Sequence, residues 1–259
     1  MRAGLFRETA EGARPRLEGT IMFFGPYDWL IIPGLLLGLY AQFRLTSTYN
    51  RYVRQPLESG VTGAQAARVI LDRAGLQDVD IHPVQGHLTD HYDPLRRALF
   101  LSGENYQGSS IAAVGVAAHE AGHALQHQAA YGPLQLRMML VPATNFATKA
   151  AFLILGAGML LTYIGLISVK LFAALLPFAI GAYAVVTFFQ LVTLPVEYDA
   201  SRRAKDQLLR HGLVSGRERA ALSRVLNAAA LTYVAGLITA VLEMLRIILI
   251  ARSLGDNRG

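Results

Sequence analysis

Residues 151–194 read AFLILGAGMLLTYIGLISVKLFAALLPFAIGAYAVVTFFQLVTL, and Lys170 is the one charge among them. The runs on either side of it, 151–169 and 171–194, are each about as long as the ~20 residues a helix needs to cross the ~30 Å hydrocarbon layer of a bilayer. Lying back to back, they predict a helical hairpin in a membrane.

Two more apolar segments flank this hairpin at a distance. Residues 29–43, WLIIPGLLLGLYAQF, reach spanning length once 23–27 are included. Tyr27, Trp29 and Tyr40 are placed there as interfacial anchors. Residues 228–250 predict a last span. The composition agrees, with 53% hydrophobic and 16% charged residues against roughly 25% charged in soluble globular proteins. The expectation is a mostly α membrane protein with four transmembrane helices: the first at 22–45, the hairpin at 150–194 and the fourth at 228–251. Residues 1–21, rich in Arg, Glu and Gly, read as a disordered N-terminal extension. The net charge of +6 lies beside the apolar segments, which suits anionic lipid headgroups and argues against a nucleic-acid partner. With no cysteine, disulfides and thiolate metal sites are excluded.

Between the first span and the hairpin, residues 46–118 have ordinary soluble composition. Thr62 is placed as the N-cap of a helix over TGAQAARVILDRAGL, closed by Gly75, with Ala66, Val69, Ile70 and Ala74 on one face. Strands are expected at 79–84 and 97–102, separated by the polar loop GHLTDHYDPL at 86–95. A second helix starting at Ser109 or Ser110 carries IAAVGVAAHEAGHALQH. A linker at 131–133 and an amphipathic stretch then lead to the hairpin. The region 46–135 is thus expected to be a small α+β catalytic subdomain.

The decisive pattern for chemistry is His119-Glu120-Ala121-Gly122-His123. Histidines four apart lie on one face of a helix and can both reach one zinc ion at ~2.0–2.1 Å. The glutamate between them is placed to take a proton from a water and deliver it to a leaving amine. Without a metal or hydrogen-bond partners, two imidazoles and a carboxylate in an alanine-rich helix would be costly buried polar groups. Glycine inside a helix costs ~1 kcal/mol, so Gly122 requires a packing or functional reason.

A catalytic zinc takes three protein ligands and keeps one open position. Glu197, in a polar helix expected to start at Pro195 within 195–227, is the candidate for the third. Two spans separate His123 from Glu197, so a membrane hairpin returns the chain to the side it left. The competing reading of Glu197 is a solvated first-turn glutamate favoured by the helix dipole.

The segments LTDHYDP, ALFLS, ENYQGSSIAAVGVAAHEAGHALQH and LPVEYDASRRA resemble those of the bacterial membrane neutral zinc metallopeptidases, the YugP-like family, from about Met22 to Arg252. Met22 also resembles that family's usual start. More distantly the pattern is similar to HtpX-like and CAAX-prenyl membrane proteases. The resemblance implies a zincin-like fold of gluzincin type, with zinc on His119, His123 and Glu197 and the catalytic base at Glu120. The distant relatives carry an aspartate four residues after the ligand glutamate, where this chain has Ser201, with Asp199 nearby. Either is a candidate for orienting a ligand histidine. The resemblance further suggests that the strand 98–102 hydrogen-bonds an extended substrate.

His87, His91 and Arg202 are weaker candidates for stabilising an oxyanion. His127 reads as an ordinary polar residue, Arg202 and Arg203 equally as headgroup anchors, and Glu243 and Arg246 as a mutual pair. Basic residues border the spans mainly on the side of the metal motif: Arg44, Arg51, Arg54, Lys149, Arg202, Arg203, Lys205, Arg217, Arg219 and Arg224. Lys170, Arg252 and Arg258 lie on the other side. By the positive-inside rule the site faces the cytoplasm, in a bacterial inner membrane if the resemblance holds. The expected function is a zinc endopeptidase acting on membrane proteins or peptides in contact with the lipid bilayer. The rivals are a scaffold or chaperone-like protein with a structural zinc and, on span number alone, a transporter. The sequence sets no oligomeric state.

Overall fold

The computed structural model describes residues 25–256; the extension expected at 1–21 lies outside them. A short 3-10 turn, Asp28–Leu30, leads into α1, Ile31–Tyr52. The first half of α1 presents Ile32, Leu35, Leu36 and Leu39 outward, as lipid contact requires, while Tyr49 and Tyr52 near its end are buried in the soluble core. The helix therefore runs past the expected end at 45. The Tyr49 hydroxyl donates to Asn105 Oδ1 at 2.8 Å and so ties the span to the region above it.

Helix α2, Gly63–Arg73, starts at a capping box in which Thr62 and Gln65 satisfy each other's backbone N–H groups. Its Arg68 donates to the carbonyls of Leu76 and Val79, which fixes the turn into β1, Asp80–Val84. Two further strands, β2 at His91–Asp93 and β3 at Ala98–Ser102, complete a sheet of order β1-β3-β2. The middle strand β3 is parallel to β1 and antiparallel to β2. Strand β2 lies within the segment expected to be a polar loop. Asp93 Oδ1 accepts the N–H groups of Leu95 and Arg96 and reverses the chain there, so that residues 91–93 fold back on 98–100. With neighbours on both sides, β3 has no free edge for an extended substrate. The expectation for 98–102 is corrected on this point, and β2 is an edge instead.

After α3, Gly103–Gln107, the motif helix α4 spans Ile111–Gln128 and is capped by the Ser110 side chain. The expected hairpin at 150–194 is longer and turns earlier. Helix α5, Gly132–Phe152, passes through one π turn, Leu153–Ala157, into α6, Gly158–Tyr163, and the stretch from Gly132 to Tyr163 is long and apolar enough to cross a membrane. The amphipathic stretch and the second span are thus one unit. The reversal falls at 164–168, where Gly165 takes a positive φ and Ser168 caps the next helix, before Lys170 is reached.

Helix α7, Val169–Arg210, continues through Pro177 and Pro195. The expected start at Pro195 is corrected, since a proline removes one backbone donor and an apolar helix tolerates this where its neighbours enclose it. At 1.5 Å per residue its 42 residues extend about 63 Å, twice the ~30 Å hydrocarbon layer. Its C-terminal turns therefore leave the membrane carrying Glu197. Helix α8, Arg219–Asp256, is the last of four helices long and apolar enough to span among the described residues.

Helix α8 packs on α1 and α7, α7 packs on α5, and α4 lies against α7 and α8. Arg246 joins Asp28 at 2.7 Å and Glu243 at 2.6 Å, so the expected pair is a triad that also pins the start of α1. Around Leu71, Leu99, Leu101, Val114, Leu208 and Leu222 one core unites α2, the sheet and α4 with the outer ends of α7 and α8. A Cβ at Gly122 would lie 2.5 Å from the Ala200 carbonyl oxygen, so α4 and α7 touch backbone to backbone. This contact is the reason for a glycine within the motif. Gly122→Ala is expected to cost about 1–3 kcal/mol through overpacking and to weaken zinc binding by moving Glu197 away. Melting curves and zinc titration in detergent check this, and wild-type values in both would remove the contact from that role.

Candidate metal centre

On α4, one helical turn separates His119 from His123, and the flanking Ala117, Ala118 and Ala121 are fully buried. Small side chains let α7 approach until Glu197, 2% exposed, meets both rings. His119 Nε2 is 3.2 Å and His123 Nε2 3.7 Å from Glu197 Oε2. The ligand atoms of this trio all lie within 4.8 Å of one another. Atoms bound to one ion at ~2.0–2.2 Å lie roughly 3–4 Å apart, so the cluster has the dimensions of a zinc site.

Hydrogen bonds behind the rings set their orientation. Gln126 Nε2 donates to the Val196 carbonyl at 2.7 Å and to Asp199 Oδ2 at 3.0 Å, which turns its Oε1 toward His123 Nδ1 at 3.0 Å. An amide oxygen only accepts, so Nδ1 is the donor there, and Nε2 is the ring atom that faces the Glu197 carboxylate. His119 Nδ1 meets the Ser201 hydroxyl at 3.1 Å. Glu197 Oε1 is buried with no hydrogen-bond partner, although the Arg137 guanidinium lies 3.0 Å away, out of line. Two imidazole nitrogens and a carboxylate oxygen thus converge on one point, with the Arg137 ion pair on the carboxylate's other oxygen. The all-nitrogen-and-oxygen donor set fits zinc.

Glu120 lies beside this cluster and is also buried. Burial pushes its carboxyl up to about 7, with Glu197 and Asp90 adding to the rise, while His119 and the Tyr92 backbone N–H offset part of it. Burial and neighbouring charge of this kind produce a group poised to exchange protons near neutrality. A cleft of 320 Å³ opens over the cluster, and Arg137 and Met138 of α5, Phe189 of α7 and Tyr233 of α8 share its lining.

The structure brings together His119, Glu120, His123, Glu197, Asp199 and Ser201. Of the weaker candidates His91 lines the cleft, with its ring stacked on Phe100 at 4.9 Å. His87 instead pairs with Glu104 at 3.1 Å. Arg202 is largely exposed and pairs with Asp199, which Arg203 also holds. His127 Nδ1 and the Tyr92 hydroxyl are hydrogen-bonded at 2.9 Å, which gives His127 a structural partner. Sequence reasoning missed Gln126, Arg137 and Tyr233. Gln126 had a signal, standing three residues after His123 on the same helical face. Tyr233 offered a polar tip within an apolar run, whereas Arg137 offered none.

Residues 27–252 match the protein family described as "Putative neutral zinc metallopeptidase". Over 224 residues, 86% of this chain and 96% of its counterpart, the sequence is 45% identical to a Bacillus subtilis (strain 168) protein named "Putative membrane protease YugP". No solved structure matches.

Loss of the supporting hydrogen bonds is expected to weaken zinc binding about 10–100-fold in Gln126→Ala and in Ser201→Ala. Competition with a chelator of known affinity measures this; unchanged affinity in both variants would show that neither side chain orients its histidine.

Proposed function

The chain belongs to this neutral zinc metallopeptidase family, and on that premise we propose that it is a membrane-embedded endopeptidase that cleaves peptide bonds of membrane-associated proteins or peptides. The observation that carries this reading is the buried Glu120 carboxylate beside the His119, His123 and Glu197 trio, at the base of an open cleft. A purely structural metal needs ligands but no acid-base residue at its side.

In this reading His119, His123 and Glu197 hold the metal. Zinc, when bound, supplies a Lewis acid that lowers the pKa of water toward ~7 and polarises the scissile carbonyl. Glu120 accepts the water proton on its carboxylate as the oxygen attacks, and returns it to the amide nitrogen that leaves. Ser201 and the Gln126–Asp199 pair hold the two rings in orientation. Arg137, Tyr233 and His91, which share the cleft, stand closer to the developing negative charge than His87 or Arg202 does.

The membrane anchoring supports a bilayer-associated substrate, because tethering raises the effective concentration of chains in the same membrane. The basic residues near the ends of α1, α7 and α8 that adjoin the metal centre support a site facing the cytoplasm of a bacterial inner membrane.

Glu120→Gln is expected to retain zinc while losing peptide hydrolysis, read by metal analysis alongside cleavage of a broad peptide library. Cleavage surviving in that variant would sink the assignment. If both proteins bind zinc and neither cleaves, a structural zinc in a membrane scaffold is the better account. Because protonated Glu120 cannot accept a proton, cleavage is expected to fall as the pH drops through about 7 or, with the metal's charge nearby, somewhat below it. A profile that stays flat to about pH 5 in zinc-loaded enzyme would contradict that role.

A further inference from the structure

The two oxygens of the Glu197 carboxylate have different neighbours. Oε2 lies 3.2 Å from His119 Nε2 and 3.7 Å from His123 Nε2, whereas Oε1 lies 3.0 Å from Arg137 Nη1. Arg137 stands in the second turn of α5, near the start of a stretch long enough to cross a membrane. An arginine so placed ordinarily carries its charged head out to water and lipid headgroups. Here the side chain is 28% exposed, and its guanidinium turns inward to a carboxylate that is 2% exposed.

We propose that Arg137 is a positioning residue that keeps Glu197 on the metal through one oxygen only, and so keeps one coordination position open for water. The proposal rests on the peptidase reading and deepens it, by naming the group that makes the centre a catalytic one and not a closed one.

Three observations carry it. The carboxylate is divided, with one oxygen among the ligand nitrogens and the other against a cation. Oε1 accepts no hydrogen bond, so the charge of Arg137 is what compensates it, and a guanidinium keeps that charge at every working pH. Helix α5 packs along α7, which carries Glu197, so the cation is set in place by a helix contact and not by a loop.

The consequence follows from ligand number. A catalytic zinc takes three protein ligands and a water, while a structural zinc fills all four positions with protein. Two imidazoles and one carboxylate oxygen make three. A carboxylate that turned its second oxygen to the ion would supply a fourth, in the place of the water on which Glu120 is proposed to act. The attraction between Arg137 and that second oxygen, stronger beside a buried group than in bulk water, opposes the turn.

The test uses the full-length protein in detergent, without substrate, so that any contact of Arg137 with a peptide leaves the main readout unmoved. Infrared difference spectra between zinc-loaded and zinc-free protein, with isotope-labelled glutamate, show how the carboxylate binds. The two carboxylate stretches lie far apart when one oxygen holds the metal and close together when both do. The wild-type protein is expected to show the wide separation. Arg137→Met is expected to keep one zinc per chain and show the narrow separation, with kcat for peptide hydrolysis about 10–100-fold lower and KM little changed. Arg137→Lys restores one charged donor and is expected to restore the wide separation. Arg137→Gln stands in if the Met variant loses its zinc.

A narrow separation in the wild-type protein would overturn the proposal without recourse to any variant. So would a wide separation that survives Arg137→Met. The expected spectra in a protein that cleaves no peptide would keep the role of Arg137 and remove the peptidase reading. Cleavage by a wild-type protein whose carboxylate binds through both oxygens would keep the peptidase and overturn the role of Arg137.

Discussion

The carboxylate of Glu197 faces two imidazoles across a helix contact so close that Gly122 meets the Ala200 carbonyl. A charge in that position is tolerated only if cations or aligned donors compensate it. The surrounding structure is arranged to this end. Alanines on α4 allow the approach, Gln126 and Ser201 hold the rings so that their Nε2 atoms converge, and Asp199 with its two arginines anchors Gln126 from behind. With Arg137 paired to the outer oxygen of Glu197, the two Nε2 atoms and the inner oxygen converge in the form of a site for a divalent ion.

The same helices serve the membrane and the site. Helix α7 is far longer than a bilayer requires, and its surplus length carries Glu197, Asp199 and Ser201 out to meet α4. The ends of α1 and α8 likewise leave the hydrocarbon and enter the core around α2 and the sheet. No flexible linker separates anchor from centre on α1, α7 or α8. The position of the metal cluster relative to the bilayer is therefore as rigid as the helices themselves, and cavities that open on the cluster are bounded partly by membrane-spanning walls.

Much of this was legible in residue order. Apolar runs marked the spans, because hydrocarbon excludes charge and length is set by its thickness. Thr62, Gly75 and the Ser109-Ser110 pair, of which Ser110 is the cap, marked helix ends through capping and positive φ, which are local properties. Glu197 was reached by counting spans. Three elements were misjudged for identifiable reasons. Pro195 was read as a helix start, although a proline inside a membrane helix costs only one internal bond that the surroundings can absorb. The turn falls at 164–168 and not at Lys170, the one charge between the apolar runs, because Gly165 and Ser168 carry the turn chemistry. Strand β2 has only three residues and no alternation long enough to see; pairing with β3 makes it a strand.

By itself the sequence determined a four-span helical membrane protein, the helix bearing two histidines and a glutamate, and the return of Glu197 to the same end of the spans as His123, since each depends on periodicity or length along one chain. Only the tertiary structure decided which polar groups stand behind those histidines, that Arg137 and Tyr233 share the cleft while Arg202 turns to Asp199, and that a second cavity adjoins Glu120. Those facts depend on how α1, α4, α5, α7 and α8 cross, and crossings bring together residues far apart in the chain, such as His119 and Ser201, 82 positions apart, for which neighbouring residues carry no signal.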